Sequence, residues 1–134
     1  MFTSALMCLA LNIYHEARGE PLVGQIAVAQ VVMNRVESPQ YPDTVCDVVQ
    51  QGKYVNGVPV RHKCQFSWWC DGKPDKPKDQ ARWEQSQALA ENILLKSIPD
   101  ITEGALFYHA TQVRPFWAEK FTPIARIENH IFYR

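Results

Sequence analysis

Glu16 is the residue whose type and surroundings best suit acid–base chemistry. On a helix it falls at the border of an apolar stripe, where burial disfavours the carboxylate and raises the pKa of the carboxyl group. The last turn of a helix has the same effect, because the helix dipole presents its negative end there. A carboxyl group with a raised pKa can donate a proton near neutral pH. The sequence therefore predicts that Glu16 is a general acid. The competing interpretation is a structural ion pair with Arg18.

A first helix is predicted to carry Glu16. Thr3 or Ser4 can cap its start, and Gly19 is the residue type favoured just past a helix end. Between them, apolar residues recur at helical spacing, namely Leu6, Leu9, Ala10, Ile13 and Ala17.

A second helix, over about residues 21–36, is expected to be the buried centre of the domain because it is apolar nearly all round. Pro21 suits its first turn, and Glu20 is expected near its cap. The other predicted elements are a short helix over 43–51, a hairpin over 54–60 turning at Asn-Gly, a surface loop over 71–79, a helix over 80–96, a buried extended segment over 105–109 and a second hairpin over 124–133 turning at Glu128-Asn129. The fold class is therefore α+β, mainly helical with small β-hairpins.

Length and charge restrict the function classes. The 134 residues fit one domain, predicted to span 1–134. Fourteen basic residues balance fourteen acidic ones, so no general attraction to nucleic acid or to membrane surfaces is expected. The sequence contains neither an apolar run long enough to span a membrane nor a secretory signal. A monomer without a cofactor is expected.

The four cysteines do not form a C-x-x-C pair, so a zinc ribbon is not expected. Cys8 lies in an apolar helical stretch and is predicted to be a buried thiol. Cys64 and Cys70 bracket a short segment that a disulfide would brace in an oxidising compartment. In a reducing one both would remain free thiols.

Five segments, in order along nearly the whole chain, resemble the SleB-type cell-wall hydrolase family of spore cortex-lytic enzymes and phage lysins. They are NIYHEARGEP at 12–21, GQIAVAQVVMNRV at 24–36, CQFSW at 64–68, ALFYH at 105–109 and NHIFY at 129–133. One departure is Glu128, where the family commonly has glycine.

The resemblance implies a compact lysozyme-like fold that cleaves the bond between N-acetylmuramic acid and N-acetylglucosamine in bacterial peptidoglycan. It also implies a lytic transglycosylase in which one glutamate, here Glu16, acts as acid and then as base while a 1,6-anhydro ring closes. A retaining hydrolase needs a second carboxylate about 5–5.5 Å away. Glu20 is expected to be occupied as a helix cap and Asp71 opens a surface loop, so the single-glutamate mechanism is favoured over a true muramidase.

Six residues are expected to line the substrate cleft: Gln25, Gln65, Ser67, Trp68, Tyr108 and Trp117. Polar groups beside aromatic faces are typical of a sugar-binding cleft. The competing interpretation places Phe66 and one Trp of the same segment in the core, and at least one of them is expected there. Tyr108 is preferred to its neighbour His109, because adjacent strand residues point to opposite faces.

Three other functions compete with this hypothesis. A peptidoglycan-binding module without activity would not need Glu16 in its motif. A metal-dependent amidase or peptidase would use the histidines, but no H-E-x-x-H spacing occurs and no metal site is predicted. A cysteine nucleophile would pair Cys64 or Cys70 with His109.

A domain starting with Met and lacking a signal favours a phage endolysin that reaches the wall from the host cytoplasm through a holin, with an exported bacterial enzyme as the other origin.

Overall fold

The computed structural model describes residues 4–134, so Thr3, one of the two expected helix caps, lies outside the described residues. Helix α1 spans Ser4–Ala17. Gly19 follows with φ +92°, a left-handed conformation that glycine adopts without a steric penalty. The predicted first helix and its glycine end are thereby confirmed.

Helix α2, Leu22–Glu37, is the buried centre of the molecule, as predicted. One face packs with α1 in the larger core, which contains Leu9, Ile13, Ala29 and Val32. Its other face contributes Ala27 and Val31 to a second core around Phe132. Pro21 is the N-cap rather than part of the first turn.

Glu20 does not cap α2, contrary to the expectation, because the N-cap position is Pro21 and no side-chain hydrogen bond caps the helix there. Its Oε2 accepts a hydrogen bond from Asn129 Nδ2 at 3.0 Å, and its Oε1 lies 3.2 Å from His130 Nδ1. The carboxylate therefore joins the start of α2 to the C-terminal hairpin.

The middle of the chain forms a short helix and a hairpin. Helix α3, Val45–Val49, begins at Thr44, whose hydroxyl accepts a hydrogen bond from Asp47 N. Strands β1, Gly52–Val55, and β2, Val58–Cys64, pair antiparallel around the predicted Asn-Gly turn. Asn56 and Gly57 both have positive φ, as a two-residue hairpin turn of this type requires. A 3-10 helix, Ser67–Cys70, follows.

Helix α4, Gln80–Leu94, is capped by Asp79, whose side chain accepts from Arg82 N, and it packs against α1. The last third of the chain forms a three-stranded antiparallel sheet of β3, Phe107–Ala110, β4, Ala125–Ile127, and β5, His130–Tyr133, in the order β3-β5-β4. A 3-10 helix, Phe116–Lys120, lies between β3 and β4. The α+β class is confirmed. No helix within residues 4–134 is long and apolar enough to cross a membrane.

Two disulfides link secondary-structure elements within residues 4–134. Cys8 is bonded to Cys46, which joins α1 to α3, so the prediction of a buried free thiol at Cys8 is wrong. Cys64 is bonded to Cys70, the pairing considered from the sequence, and this bridge closes the segment that contains Gln65 and Ser67. The packing of α1 on α3 brings Cys8 and Cys46 together across 38 residues of sequence.

Replacing Cys8 and Cys46 by serine is expected to lower the free energy of unfolding by about 4 kcal/mol, against about 2 kcal/mol for the Cys64 and Cys70 pair. The chain-entropy model gives the larger value to the longer loop, since the sequence separations are 38 and 6. Urea unfolding of the two double variants and of wild type, all purified under air, measures both losses. Equal losses, or peptide mapping that finds four free thiols in wild type, would contradict this account.

Candidate active site

Glu16 lies in the last turn of α1, partly buried, with Ile13 and Ala17 of the same helix in or beside the core. Tyr108 Oη donates a hydrogen bond of 2.8 Å to Glu16 Oε1. Burial raises the pKa of the Glu16 carboxyl, while the Tyr108 hydrogen bond and the positive charge of Arg35 act in the opposite direction. Because burial has the largest effect, the carboxyl group is poised to hold a proton above its usual pH range.

Tyr108 is positioned by the C-terminal sheet. On β3 it pairs with Phe132 of β5, and its ring lies edge-on to His130 at 5.1 Å between centroids. Burial, and then the negative charge of Glu16, raise the pKa of Tyr108 well above its usual value. The phenol therefore stays protonated. When Glu16 is ionised, Tyr108 acts as a hydrogen-bond donor to its carboxylate.

Arg35 is a site residue that sequence reasoning did not single out. It is 5% exposed on α2, and its Nε donates to Leu106 O at 2.6 Å. Its guanidinium lies over the rings of Tyr41 and Phe66 at 5.1 and 5.2 Å from their centroids. An arginine in a helix that is apolar nearly all round was the available signal, because a buried charge needs partners.

Two cavities meet at Glu16, which is the one residue among those described, 4–134, that lines both. The first, about 350 Å³, is mainly aromatic and is lined by Glu16, Arg35, Tyr41, Gln65, Phe66, Phe107, Tyr108, Trp117 and Phe121. The second, about 550 Å³, is mainly polar and is lined by Tyr14, His15, Glu16, Arg18, Ser67, Trp68, Asp71, Lys73, Pro74, Asp75, Lys76 and Lys78. The carboxyl group thus lies within a groove formed by both cavities rather than at the bottom of a closed pocket.

Five of the six residues expected to line the cleft lie along this groove. Gln65, Tyr108 and Trp117 line the first cavity, while Ser67 and Trp68 line the second. Trp117 lies on the 3-10 helix Phe116–Lys120, and its ring packs edge-on against Phe107 with 5.3 Å between the ring centroids.

Gln25 does not line the groove, so that expectation is wrong. Its side chain is 8% exposed, and its Nε2 donates to Glu20 O at 2.9 Å. Gln25 instead borders a small gap between α1 and α4, together with Ile13, Tyr14, Arg18 and Ser86. The physical reason is that the Gln25 side chain points from α2 toward the backbone segment between α1 and α2, where its amide finds a hydrogen-bond acceptor.

The aromatic residues of the 64–70 segment belong partly to the core, as expected. Phe66 and Trp68 are 3% and 6% exposed. Trp68 donates through Nε1 to Asn12 Oδ1 at 2.8 Å, and its ring stacks on His15 at 4.7 Å. Trp68 therefore offers the second cavity only a small part of its surface.

His15 and His109 both have structural partners. His109 contacts the Tyr133 hydroxyl through Nε2 at 2.8 Å, and His15 Nε2 lies 2.7 Å from Asp75 O. Among residues 4–134, no group of three His, Cys, Asp or Glu side chains could hold a metal ion. Both cysteines proposed as nucleophiles, Cys64 and Cys70, are consumed in a disulfide.

Comparison with known proteins shows the family of this chain. A family model described as Cell Wall Hydrolase matches residues 19–133. The chain belongs to the cell wall hydrolase family. The matched region includes Arg35, Gln65 and Tyr108 and begins three residues after Glu16.

Among similar family members, the spore cortex-lytic enzyme of Bacillus subtilis is 51% identical over 128 residues, which is 92% of this chain and 35% of the relative. That of Halalkalibacterium halodurans is 52% identical over 44 residues, 33% of this chain and 13% of the relative. The chain thus spans about a third or less of the length of these curated relatives.

Solved structures of this family agree with the fold. The catalytic domain of the Bacillus cereus SleB protein has a TM-score of 0.66 and 26% identity, covering 100% of this chain and 93% of that one. The catalytic domain of the germination-specific lytic transglycosylase SleB from Bacillus anthracis has a TM-score of 0.67 and 26% identity, covering 99% and 97%. The architecture of this cell wall hydrolase is therefore that of the SleB catalytic domains.

Proposed function

We propose that this cell wall hydrolase cleaves the bond between N-acetylmuramic acid and N-acetylglucosamine in peptidoglycan, as a lytic transglycosylase with Glu16 as acid and base. The observation that carries the proposal is the Glu16 carboxyl, whose pKa is raised by burial, held by Tyr108 where the two cavities meet. The names of the Bacillus relatives, a spore cortex-lytic enzyme and a lytic transglycosylase, support the same chemistry.

In the first step, Glu16 gives its proton to the glycosidic oxygen as the bond from that oxygen to C1 of the muramyl sugar breaks. The carboxylate that remains accepts the Tyr108 hydrogen bond and is attracted by the charge of Arg35. Both interactions favour the ionised form, so they become stronger as the proton leaves.

In the second step, the 6-hydroxyl of the same muramyl sugar attacks C1 and loses its proton to Glu16. The C1–O6 bond replaces the bond that was broken, no water is consumed, and Glu16 is again protonated. Because the hydroxyl belongs to the reacting sugar, its effective concentration is high without a second carboxylate to activate it.

Hydrolysis by a true muramidase is a second candidate, favoured by one observation. Asp71, which opens the predicted surface loop, and Asp75 line the second cavity together with Glu16. Asp71 Oδ1 already accepts a hydrogen bond from Lys73 N at 2.8 Å. Burial raises the pKa of Asp75, which disfavours the carboxylate that a base would need.

The activity is tested by incubating the purified protein with purified peptidoglycan and measuring new glycan chain ends. We expect chain ends to appear equally in the presence of EDTA and of a thiol-blocking reagent, because neither a metal nor a thiol takes part in the proposed reaction. Release of peptides without new glycan ends would indicate an amidase or peptidase, and binding without release would indicate a non-catalytic module. Either result would overturn the proposal.

A further inference from the structure

We infer that the second cavity binds the peptide-bearing side of the substrate, with Lys73, Lys76 and Lys78 contacting the carboxylates of the stem peptide. This inference rests on the proposed function and adds a specificity that the family name does not contain. It is carried by the loop over residues 71–79, which forms one wall of the second cavity.

The loop is fixed beside Glu16 rather than extended into solvent. The Tyr14 hydroxyl accepts hydrogen bonds from the backbone N–H groups of Lys78 and Asp79 at 3.1 and 3.0 Å. His15 Nε2 lies 2.7 Å from Asp75 O. Tyr14 is 1% exposed, so the hydroxyl that holds the loop belongs to a side chain of the buried core. The residues that hold the loop are thus the two that immediately precede Glu16.

The anchored backbone presents three exposed lysines at the cavity. Lys73, Lys76 and Lys78 all line it, with Arg18 as a fourth cation. The ion pairs found in the part of the chain that the structure describes join other residues, namely Arg82 with Asp79, Lys96 with Glu37 and His130 with Glu20. The three ammonium groups are therefore available to an anionic ligand.

The two cavities differ in charge, so the two ends of the groove suit different parts of a substrate. Besides Glu16, the second cavity has four cationic side chains and two aspartates, an excess of two positive charges. Apart from Glu16, the first cavity has aromatic rings, Gln65 and the buried Arg35, whose guanidinium is already covered by Tyr41 and Phe66. Neutral sugar rings suit the first cavity, and a substituent rich in carboxylates suits the second.

In peptidoglycan freed of phosphate polymers, carboxylates occur on the stem peptides attached to the muramyl sugars. Exposed lysines attract such groups through screened charge interactions, which affect binding more than chemistry. The lysines are therefore expected to act on KM and on its salt dependence while leaving kcat unaffected.

The test compares wild type with a triple variant, Lys73→Gln, Lys76→Gln and Lys78→Gln. The matched control has the same charge change at three exposed lysines that line neither cavity, Lys53→Gln, Lys63→Gln and Lys120→Gln. The substrates are soluble peptidoglycan fragments freed of phosphate polymers, with their stem carboxylates either free or converted chemically to amides.

On the free-carboxylate substrate, we expect the KM of the loop variant to rise about tenfold, because three exposed ion pairs together can have an effect of that size. We expect its kcat to stay within about twofold of wild type. The rise should shrink in high salt and on the amidated substrate. A KM equal to that of the control variant, or an equal rise on both substrates, would overturn the inference while leaving the glycosidase proposal intact. Wild type that cleaves neither substrate would instead overturn the proposed function.

Discussion

Glu16→Gln is expected to lower the rate of peptidoglycan cleavage by about a thousandfold or more. The amide cannot donate the proton that the leaving oxygen needs or accept one from the 6-hydroxyl, and each general acid–base contribution is worth about 10²–10⁴ in rate. The amide has nearly the same shape as the carboxyl and can still accept the Tyr108 hydrogen bond, so the groove should remain intact. Release of glycan fragments per minute, with Glu91→Gln on the exposed face of α4 as the control, measures the loss. A variant that retains more than a tenth of wild-type activity would exclude Glu16 as the acid.

The same variant should be as stable as wild type or more stable at neutral pH. Burial raises the pKa of Glu16 in the folded state above the value in the unfolded chain, roughly 4.3. The stability that the neutral carboxyl contributes is therefore fully present below that pH and is lost as the pH rises through the folded-state pKa. Glutamine does not ionise, so the melting temperature of Glu16→Gln relative to wild type should increase between pH 4 and pH 8. A relative melting temperature that falls over this range would contradict the raised pKa.

Tyr108→Phe is expected to lower the cleavage rate by about ten- to a hundredfold and to change its pH dependence. A hydrogen bond to a charged group contributes about 1.5–3 kcal/mol, and this one favours the carboxylate that forms when Glu16 gives up its proton. Without the phenol, the pKa of Glu16 should rise further, because the Tyr108 hydrogen bond lowers it in wild type. The alkaline limb of the rate profile, where Glu16 loses its proton, should therefore move to higher pH.

The matched control for this variant is Tyr133→Phe. Tyr133 lies on β5, next to β3, and its hydroxyl contacts His109 instead of Glu16. Its loss should leave the alkaline limb in place. If both variants shifted the limb equally, the effect of Tyr108 would come from packing in the sheet and not from its contact with Glu16.

The local elements could be predicted because their signals are local. The apolar spacing of α1, the near-continuous apolar surface of α2 and the turn at Asn56-Gly57 each depend on neighbours within a few residues, and the structure confirms them. The turn at Glu128 also formed despite the missing family glycine, with Glu128 itself at φ +50°.

The errors at Cys8 and Glu20, and the omission of Arg35, concern contacts between elements that are distant in the sequence. The partner of Cys8 depends on how α1 packs against α3, which no periodicity in either helix encodes. Gln25 and Arg35 both lie on α2, and only the packing of that helix decides that Arg35 reaches the groove while Gln25 turns to the backbone at Glu20. Glu20 has the composition of a helix cap, but the arrival of Asn129 and His130 gives its carboxylate other partners.

The most direct test of the central claim is mass spectrometry of the muropeptides that the wild-type protein releases from purified peptidoglycan in heavy-oxygen water. Transglycosylation through Glu16 predicts chains that end in 1,6-anhydro-muramic acid, lighter by one water than hydrolytic products, unlabelled and unreactive toward borohydride. Reducible ends that carry the heavy oxygen would show that water attacked C1. That result would contradict the single-glutamate mechanism and direct attention to Asp71 and Asp75, the carboxyl groups that share the second cavity with Glu16.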